Sequence, residues 1–272
     1  MSFLCRGQHA ATLSRHQLAG QHQEEVLLRI LAVQHQPNGP CVASDDGADL
    51  QQLQSDGIDL GLGEGGALKV NPTQPLQEQH AYTARRIAEE GLEDRIPLLK
   101  QDYRELQGRF DRLISVEMVE AVGHQYLETY LATLDRLLTD DGQAMLQAIT
   151  IRDQRFEAAK REMDFIKRYI FPGGFLPSHR ALLDGMARRT SLNVLALDEI
   201  GPHYARTLRE WRHRFEANLE RVRKLGYDER FIRMWRYYLC YCEGGFLERT
   251  IGTCHLLLAK PGARPAPQAG GL

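Results

Sequence analysis

From about residue 80 onward, strand-like and helix-like segments alternate along the chain. The predicted strands cover residues 96–100, 112–116, 143–150, 192–200 and 250–260, and the predicted helices cover residues 81–90, 124–138, 155–167, 178–188, 203–225 and 231–246. This alternation is typical of an α/β fold, in which helices cover both faces of one sheet. Because ligands of such sheets bind at the carboxyl ends of the strands, we expect residues 102–103, 117–120 and 147–150 to lie along one rim.

The first part of the chain differs in composition from the rest. Residues 1–80 contain one of the 21 aromatic residues, Phe3, and carry four Lys or Arg against nine Asp or Glu. Such a stretch has little with which to build a core. We therefore predict an atypical, poorly ordered segment over residues 1–76, a folded domain over residues 77–260, and a flexible tail over residues 261–272.

A glycine-rich stretch lies inside this first segment. Residues 59–66 read Asp-Leu-Gly-Leu-Gly-Glu-Gly-Gly, which looks like a cofactor loop with an acidic residue close before Gly61 and Gly63. The pattern indicates such a loop only where a strand precedes it and a helix follows. Pro72 and Pro75 leave no room for a helix beyond a single turn. By themselves, these glycines are therefore weak evidence of a cofactor site.

Residues 231–246 read as a helix with apolar side chains on every side, ending in Cys-Glu-Gly-Gly-Phe. A helix of this kind is normally buried, so one interpretation makes Cys242 a small hydrophobic residue of a core. The other interpretation makes Cys242 part of a closed apolar pocket at the end of the helix. The helix alone does not decide between the two.

Charge, hydropathy and cysteine content argue against several classes of protein. The formal net charge of −2 argues against binding of nucleic acid through bulk electrostatics. No apolar run reaches the ~18–20 residues that a transmembrane helix needs, and no signal peptide is visible. The five cysteines are therefore expected to be reduced thiols. Cys240 and Cys242 lack the spacing of a zinc site, so no metal is predicted.

Five motifs follow one another in a fixed order in the predicted domain. They are Gln79-His80-Ala81-Tyr82, residues 111–123 (Asp-Arg-Leu-Ile-Ser-Val-Glu-Met-Val-Glu-Ala-Val-Gly), residues 169–174 (Tyr-Ile-Phe-Pro-Gly-Gly), residues 203–208 (His-Tyr-Ala-Arg-Thr-Leu) and residues 238–246. Over about residues 77–260 this set resembles cyclopropane-fatty-acyl-phospholipid synthases and the related mycolic acid cyclopropane synthases. An ordered set of motifs is far more specific than a single glycine pattern.

The resemblance implies a class I methyltransferase-like, Rossmann-like sheet that binds S-adenosyl-L-methionine. Enzymes of this family transfer a methylene group to the cis double bond of an unsaturated phospholipid acyl chain, and a bound bicarbonate ion is their base. The resemblance also implies a phospholipid partner at the membrane surface and a cytoplasmic location, peripheral to the inner face of the membrane. It is compatible with a homodimer.

The resemblance also assigns site residues, motif by motif. The residues that match the anion site are Cys242, Glu120, Tyr204, Ile149 (through its backbone) and Gln147. The residues assigned to the cofactor are Gln79, Asp102, Tyr103 (an aromatic ring on the adenine), Gly61 and Gly63. Three of these residues also have a simpler structural interpretation when each is considered by itself. Glu120 suits a solvated helix start, Tyr204 suits a ring on a helix surface, and Tyr103 suits a core.

Two departures from the family pattern matter. The family has His where this chain has Gln147, and Gln can donate a hydrogen bond but cannot titrate, so plain methyl transfer to an alkene is an alternative to cyclopropanation. The family also has a strand, a glycine loop and a helix before the position of Gln79, where this chain has prolines. We therefore expect a sheet that is incomplete at its N-terminal half and lacks its central strand.

The second departure supports an alternative function. The chain would then be a non-catalytic or truncated remnant that at most docks on lipid surfaces. The basic pair Arg188 and Arg189 and the basic run over residues 221–224 would be the contacts. The plainer interpretation of those runs is a solvated basic face.

Overall fold

The computed structural model describes residues 2–5, 66–70, 76–89, 91–94 and 96–264. Within these ranges the strands are β1 (Ser2–Cys5), β2 (Gly66–Val70), β3 (Leu98–Lys100), β4 (Phe110–Val116), β5 (Leu138–Ile151), β6 (Asn193–Glu199) and β7 (Ile251–Ala259). They form one seven-stranded sheet in the order β3-β2-β1-β4-β5-β7-β6. The helices are α1 (Leu76–Glu89), α2 (Leu127–Leu137), α3 (Asp153–Arg161), α4 (His179–Arg189), α5 (Gly201–Ala217), α6 (Leu219–Lys224) and α7 (Glu229–Leu247). The predicted α/β class is confirmed.

The centre of the sheet corrects one prediction. The sheet was expected to lack its central strand, but Ser2–Cys5 occupies that position between β2 and β4. This strand runs antiparallel to β4, with Ser2 opposite Ser115 and Cys5 opposite Arg112. Its pairing satisfies backbone groups of β4 that would otherwise form an open sheet edge. The remaining residues of segment 1–76, which was predicted to be poorly ordered, lie outside the described ranges apart from residues 66–70 and 76.

The C-terminal half of the sheet is continuous and fixes the register around the rim. β4 and β5 are parallel, and β5 pairs with antiparallel β7 from Gln143 opposite Ala259 to Ile151 opposite Ile251. Alternate side chains of β5 point to opposite faces of the sheet, and each face has its own hydrophobic core. Leu146 belongs to the core under α2 and α4, whereas Ile149 packs against the core of α5, α6 and α7. Helices therefore cover both faces, as the sequence predicted.

Local sequence signals set several of the helix ends. Ser178 caps α4, because its Oγ accepts a hydrogen bond from the Ala181 backbone N–H at 3.2 Å, and this cap was predicted. Gly91 follows α1 with φ +65°, which confirms it as a C-terminal cap. The helix predicted over residues 203–225 is instead divided at Asn218, whose side chain donates to the Arg214 carbonyl at 2.8 Å. The helix predicted over residues 155–167 ends at Arg161 and is followed by one π-helical turn, Ile166–Ile170.

The aromatic helix α7 buries one face rather than its whole circumference. Its buried residues are Phe231, Ile232, Tyr238, Leu239, Glu243 and Phe246. Tyr237 and Tyr241, one turn apart, are 52% and 44% exposed. The buried Glu243 accepts hydrogen bonds from Arg209 and Arg212 of α5, at 2.9 and 3.1 Å. This ion-paired carboxylate ties α7 to α5, which makes its burial tolerable.

Two helical glycines are expected to respond in opposite ways to alanine. At Gly185 in α4, an added Cβ would lie 2.7 Å from Leu131 Cδ1, so alanine overpacks the contact with α2. At Gly244 in α7, no neighbouring atom lies within 4 Å of an added Cβ, so alanine gains helix propensity. In urea unfolding, we expect Gly244→Ala to raise the free energy of unfolding by about 0.5–1 kcal/mol and Gly185→Ala to lower it by about 1 kcal/mol. A gain at both positions would contradict the packing at Gly185.

Candidate functional site

The loop after β4 places two glutamates, Glu117 and Glu120, at the carboxyl end of the strand. Glu117 adopts φ +48°, a left-handed backbone that is unusual for a residue with a side chain. Its backbone N–H donates to the Gln147 carbonyl at 2.9 Å, which fastens the loop to β5. Such a conformation costs on the order of 1 kcal/mol and persists only where its surroundings hold it. Glu120 follows in the 3₁₀ turn Val119–Ala121.

A chain of hydrogen bonds converges on the Glu117 carboxylate. Its Oε1 accepts from Gln147 Nε2 at 2.9 Å and also from the Tyr204 hydroxyl in a short hydrogen bond. On the other side of the amide, Gln147 Oε1 lies 2.8 Å from His255 Nε2. We refer to His255, Gln147, Glu117 and Tyr204 as the Glu117 network. It joins residues from the loop after β4, from β5, from β7 and from α5, so the site depends on the packing of these elements.

Glu120 lies beside this network with one oxygen satisfied and one not. Its Oε1 accepts from the Ile149 backbone N–H at 2.5 Å. Its Oε2 is buried and has no hydrogen-bond partner within the described part of the chain. Burial of the carboxyl group, together with the charge of Glu117, raises the pKa of Glu120 to about 8. Near neutral pH the carboxyl is therefore largely protonated, and its free oxygen can act as a hydrogen-bond donor.

Aromatic rings close the apolar side of the site. Tyr204 of α5 is 5% exposed and stacks on Phe246 of α7, with ring centroids 4.9 Å apart. Burial, followed by the nearby Glu117 charge, raises the pKa of Tyr204, so its phenol stays protonated and donates to Glu117. Tyr238 is buried too, and burial is the main cause of its raised pKa. The plainer interpretation of Tyr204 as a surface ring is wrong.

Cys242 lies one helical turn after Tyr238 on α7 and packs against the core of α5, α6 and α7. Burial raises the pKa of its thiol to about 12, so it remains a neutral thiol and a poor nucleophile. This is the behaviour of a small hydrophobic residue, the first of the two sequence interpretations. A contact of Cys242 with an anion stays a prediction.

On the cofactor side, Asp102 and Tyr103 follow β3 at the predicted rim. Asp102 Oδ1 accepts from the Arg104 backbone N–H at 2.8 Å, and Asp102 Oδ2 pairs with the Arg104 guanidinium at 2.6 Å. The Tyr103 ring is 7% exposed and meets Tyr130 edge to face, with centroids 5.9 Å apart. Tyr103 is thus a core residue in this structure, and stacking of its ring on adenine stays a prediction.

Of the other predicted cofactor residues, Gln79 lies in α1, and Gly61 and Gly63 lie outside the described ranges. Their contact with the cofactor stays a prediction. The strand β2 begins at Gly66 and runs parallel to β3, so Gly66 lies at the amino end of its strand, whereas Asp102 follows the carboxyl end of β3.

The structure brings most of the predicted anion set together. Glu120 contacts Ile149 directly, and Gln147 and Tyr204 meet at Glu117. Sequence reasoning placed Glu117 on the rim without giving it a role, and it missed His255 altogether. The only signal for His255 is its register opposite Gln147, which requires knowledge of strand pairing. Among the described residues, no cluster of three or more His, Cys, Asp or Glu is arranged to hold a metal ion.

Comparison with known sequences gives a consistent result. The family model of mycolic acid cyclopropane synthetase matches residues 75–256. Tuberculostearic acid methyltransferase UfaA1 of Mycobacterium tuberculosis is 41% identical over 169 residues, which cover 62% of this chain and 40% of that protein. Cyclopropane-fatty-acyl-phospholipid synthase of Escherichia coli (strain K12) is 37% identical over 173 residues, which cover 63% of this chain and 42% of that protein. The chain thus spans less than half the length of both relatives.

Comparison with solved structures establishes the fold. Mycolic acid cyclopropane synthase CmaA1, solved in complex with SAH and CTAB, superposes with a TM-score of 0.63 at 21% identity, covering 92% of this chain and 100% of that chain. The chain therefore has the class I methyltransferase-like, Rossmann-like fold that the sequence motifs predicted. At this identity the likeness concerns the fold alone.

Proposed function

The chain belongs to the mycolic acid cyclopropane synthetase family, and we propose that it transfers a one-carbon group from S-adenosyl-L-methionine to a cis double bond of an unsaturated phospholipid acyl chain. The transfer would form one carbon–carbon bond to the alkene and break the carbon–sulfur bond of the cofactor. Loss of one proton would then either close a ring through a second carbon–carbon bond or leave a double bond beside a methyl branch. When bound, the cofactor supplies a methyl group activated by a positive sulfur. The residues of the chain must therefore stabilise positive charge on the acyl chain and accept the released proton at a site from which water is excluded.

The buried, unpartnered Oε2 of Glu120 is the observation that carries this proposal. A buried polar atom without a partner costs free energy, so a ligand that satisfies it is favoured. A protonated Glu120 can donate to an anion there, and the bicarbonate ion implied by the resemblance fits this chemistry as the base. The charge of Glu117 disfavours a second negative carboxylate beside it, which keeps Glu120 in the donating form.

The Glu117 network supplies the electrostatic part of the mechanism. Glu117 is a fixed negative charge, held by Gln147 and Tyr204, close to where positive charge would develop. The stacked rings of Tyr204 and Phe246 are both buried and would exclude water beside this charge. Gln147 itself has no proton to exchange, so its role is to orient Glu117 rather than to titrate.

The adenosine end of the cofactor has partial support. Asp102 lies at the carboxyl end of β3, where this fold binds ligands, but Arg104 occupies both of its carboxylate oxygens. A ligand at Asp102 would therefore share the carboxylate with Arg104. We propose that Asp102 and the neighbouring Tyr103 receive adenosine there.

Lipid contact is better supported by an aromatic patch than by the basic runs. Arg188 and Arg189 both bind Glu128, at 2.8 and 2.6 Å, and Arg223 pairs with Glu220 and Glu229, so much of that positive charge is already compensated. The aromatic patch consists of Phe165, Tyr169, Tyr237 and Tyr241. The three tyrosines are exposed, and Phe165 contacts all of them. Exposed aromatic residues of this kind favour the interface between water and lipid.

No helix in the described part of the chain is long and apolar enough to cross a bilayer. We propose that the aromatic patch touches the membrane surface from one side, with Arg168 next to Tyr169 facing lipid headgroups. The non-catalytic lipid-docking remnant is the rival function, and it requires the patch but not the cofactor.

Cofactor binding separates the two functions. We expect calorimetric titration of the full chain with S-adenosyl-L-methionine to show saturable binding near one to one. We then expect label from the cofactor methyl group to enter vesicles of monounsaturated phospholipid, but not matched vesicles of saturated phospholipid. Gas chromatography of the released acyl chains distinguishes a ring from a methyl branch. A folded chain that sediments with vesicles but does not bind the cofactor would overturn the proposal in favour of the remnant.

A further inference from the structure

We propose that His255 is a positioning residue of the methyl-transfer site, which fixes the side-chain amide of Gln147 and through it the Glu117 carboxylate. This inference rests on the proposed function and extends it to a residue outside the five sequence motifs that carry the family resemblance. His255 lies on β7, directly opposite Gln147 of β5 in the antiparallel ladder. Its Nε2 lies 2.8 Å from Gln147 Oε1.

The chemistry of the groups fixes the direction of every hydrogen bond in the Glu117 network. An ionised carboxylate only accepts, so Gln147 must turn its NH₂ group to Glu117 and its oxygen to His255. His255 must then donate from Nε2, which makes the ring the Nε2–H tautomer when it is neutral. Burial lowers the pKa of His255, with Asp198 of β6 and Glu117 acting in the opposite direction. The assignment of the tautomer rests on the hydrogen-bond geometry and on the negative charge of Glu117, and does not use the pKa of His255.

Without this donor, the side-chain amide of Gln147 would be free to rotate by 180° and exchange the positions of its oxygen and nitrogen. The carbonyl oxygen of Gln147 could then point at the Glu117 carboxylate, where two acceptors repel each other. Glu117 would lose one of the two hydrogen bonds on its Oε1 and with it part of its fixed orientation. A displacement of a catalytic group by about 1 Å can lower the reaction rate by about 100-fold.

The plainer interpretation is that His255 is merely a satisfied, half-buried histidine. That interpretation predicts no effect on turnover beyond stability.

Nuclear magnetic resonance tests the geometry without any need for activity. We expect long-range ¹⁵N–¹H spectra of the full chain near pH 7.5 to show His255 as the Nε2–H tautomer. We also expect His255→Leu to shift the side-chain amide signals of Gln147. An Nδ1–H tautomer of the neutral ring, or an unmoved Gln147 amide, would overturn the proposal, whatever the catalytic activity of the chain.

Kinetics then tests the role. We expect His255→Leu to lower kcat by about 10- to 100-fold, with cofactor affinity within about threefold of the unmodified chain. His255→Gln retains a donor toward Gln147 and should recover kcat to within about fivefold. His213→Leu, on the exposed surface of α5, is the matched control and should change neither quantity. The positioning role would be overturned if His255→Leu had the kcat of the unmodified chain, or if His255→Gln were as slow as His255→Leu. Lack of activity in the unmodified chain would count against the proposed function alone.

Discussion

Replacement of Glu120 by Gln is expected to reduce turnover by at least about 100-fold, because the amide can still donate a hydrogen bond to a bound anion but cannot pass a proton to it or take one from it. Glutamine keeps the shape of the side chain and an acceptor for the Ile149 backbone N–H, which Glu120 Oε1 binds at 2.5 Å. It cannot, however, exchange a proton at the second position, where Oε2 is buried and unpartnered. The measurement is transfer of the labelled cofactor methyl group to vesicles of monounsaturated phospholipid.

Two comparisons make this result specific. Cofactor affinity, measured by calorimetry, should change by less than about threefold, because Glu120 lies at the anion site rather than at Asp102. Glu210→Gln introduces the same chemical change on the exposed face of α5 and should leave turnover unaltered. Turnover of Glu120→Gln at the rate of the unmodified chain would count against the assignment of this residue.

The same substitution is expected to change how stability depends on pH. The pKa of Glu120 is raised from its ordinary value of 4.5 to about 8, chiefly by burial. Between these two values the folded chain keeps a proton that the unfolded chain has released, so stability falls as pH rises. The contribution of one such group is at most about 1.4 kcal/mol per pH unit. Glu120→Gln removes it, so the variant should gain stability over the unmodified chain from pH 5 to pH 8.

Urea unfolding of both proteins at several pH values checks this expectation. The difference in the free energy of unfolding should be smallest near pH 5 and should level off above about pH 8, where both states have lost the proton. Glu210→Gln, on the exposed face of α5, serves as the control here too. Parallel stability curves for the unmodified chain and Glu120→Gln would mean that Glu120 titrates normally. Loss of activity together with a gain in stability would show that Glu120 serves function while it lowers the free energy of unfolding.

Much of the fold was predictable because strand and helix patterns are local. The periods of apolar residues placed β4, β6, β7 and α4 within two or three residues of their observed bounds. The boundary between α2 and β5 was less accurate, because the strand begins at Leu138 rather than Gln143. The central strand was not predicted, because Ser2–Cys5 has only four residues and is too short to show the alternation that indicates a strand.

The aromatic helix shows the limit of composition. Its apolar residues predicted burial on all sides, but Tyr237 and Tyr241 remain exposed. Which face of α7 is covered depends on where α5 packs, and Arg209 and Arg212 of α5 bind Glu243 on the covered face. Nothing within residues 231–246 encodes the position of those arginines.

The sequence by itself determined that Glu120, Gln147 and Ile149 lie at one rim, because residues at the ends of parallel strands must meet there. Only the tertiary structure decided which side chains touch. Gln147 and His255 are separated by 108 residues, and Glu117 and Tyr204 by 87. Contacts over such distances depend on strand register and helix packing, and a shift of one residue along β7 would turn His255 to the opposite face. Local patterns specify the elements, whereas the packing of the whole C-terminal half specifies the Glu117 network.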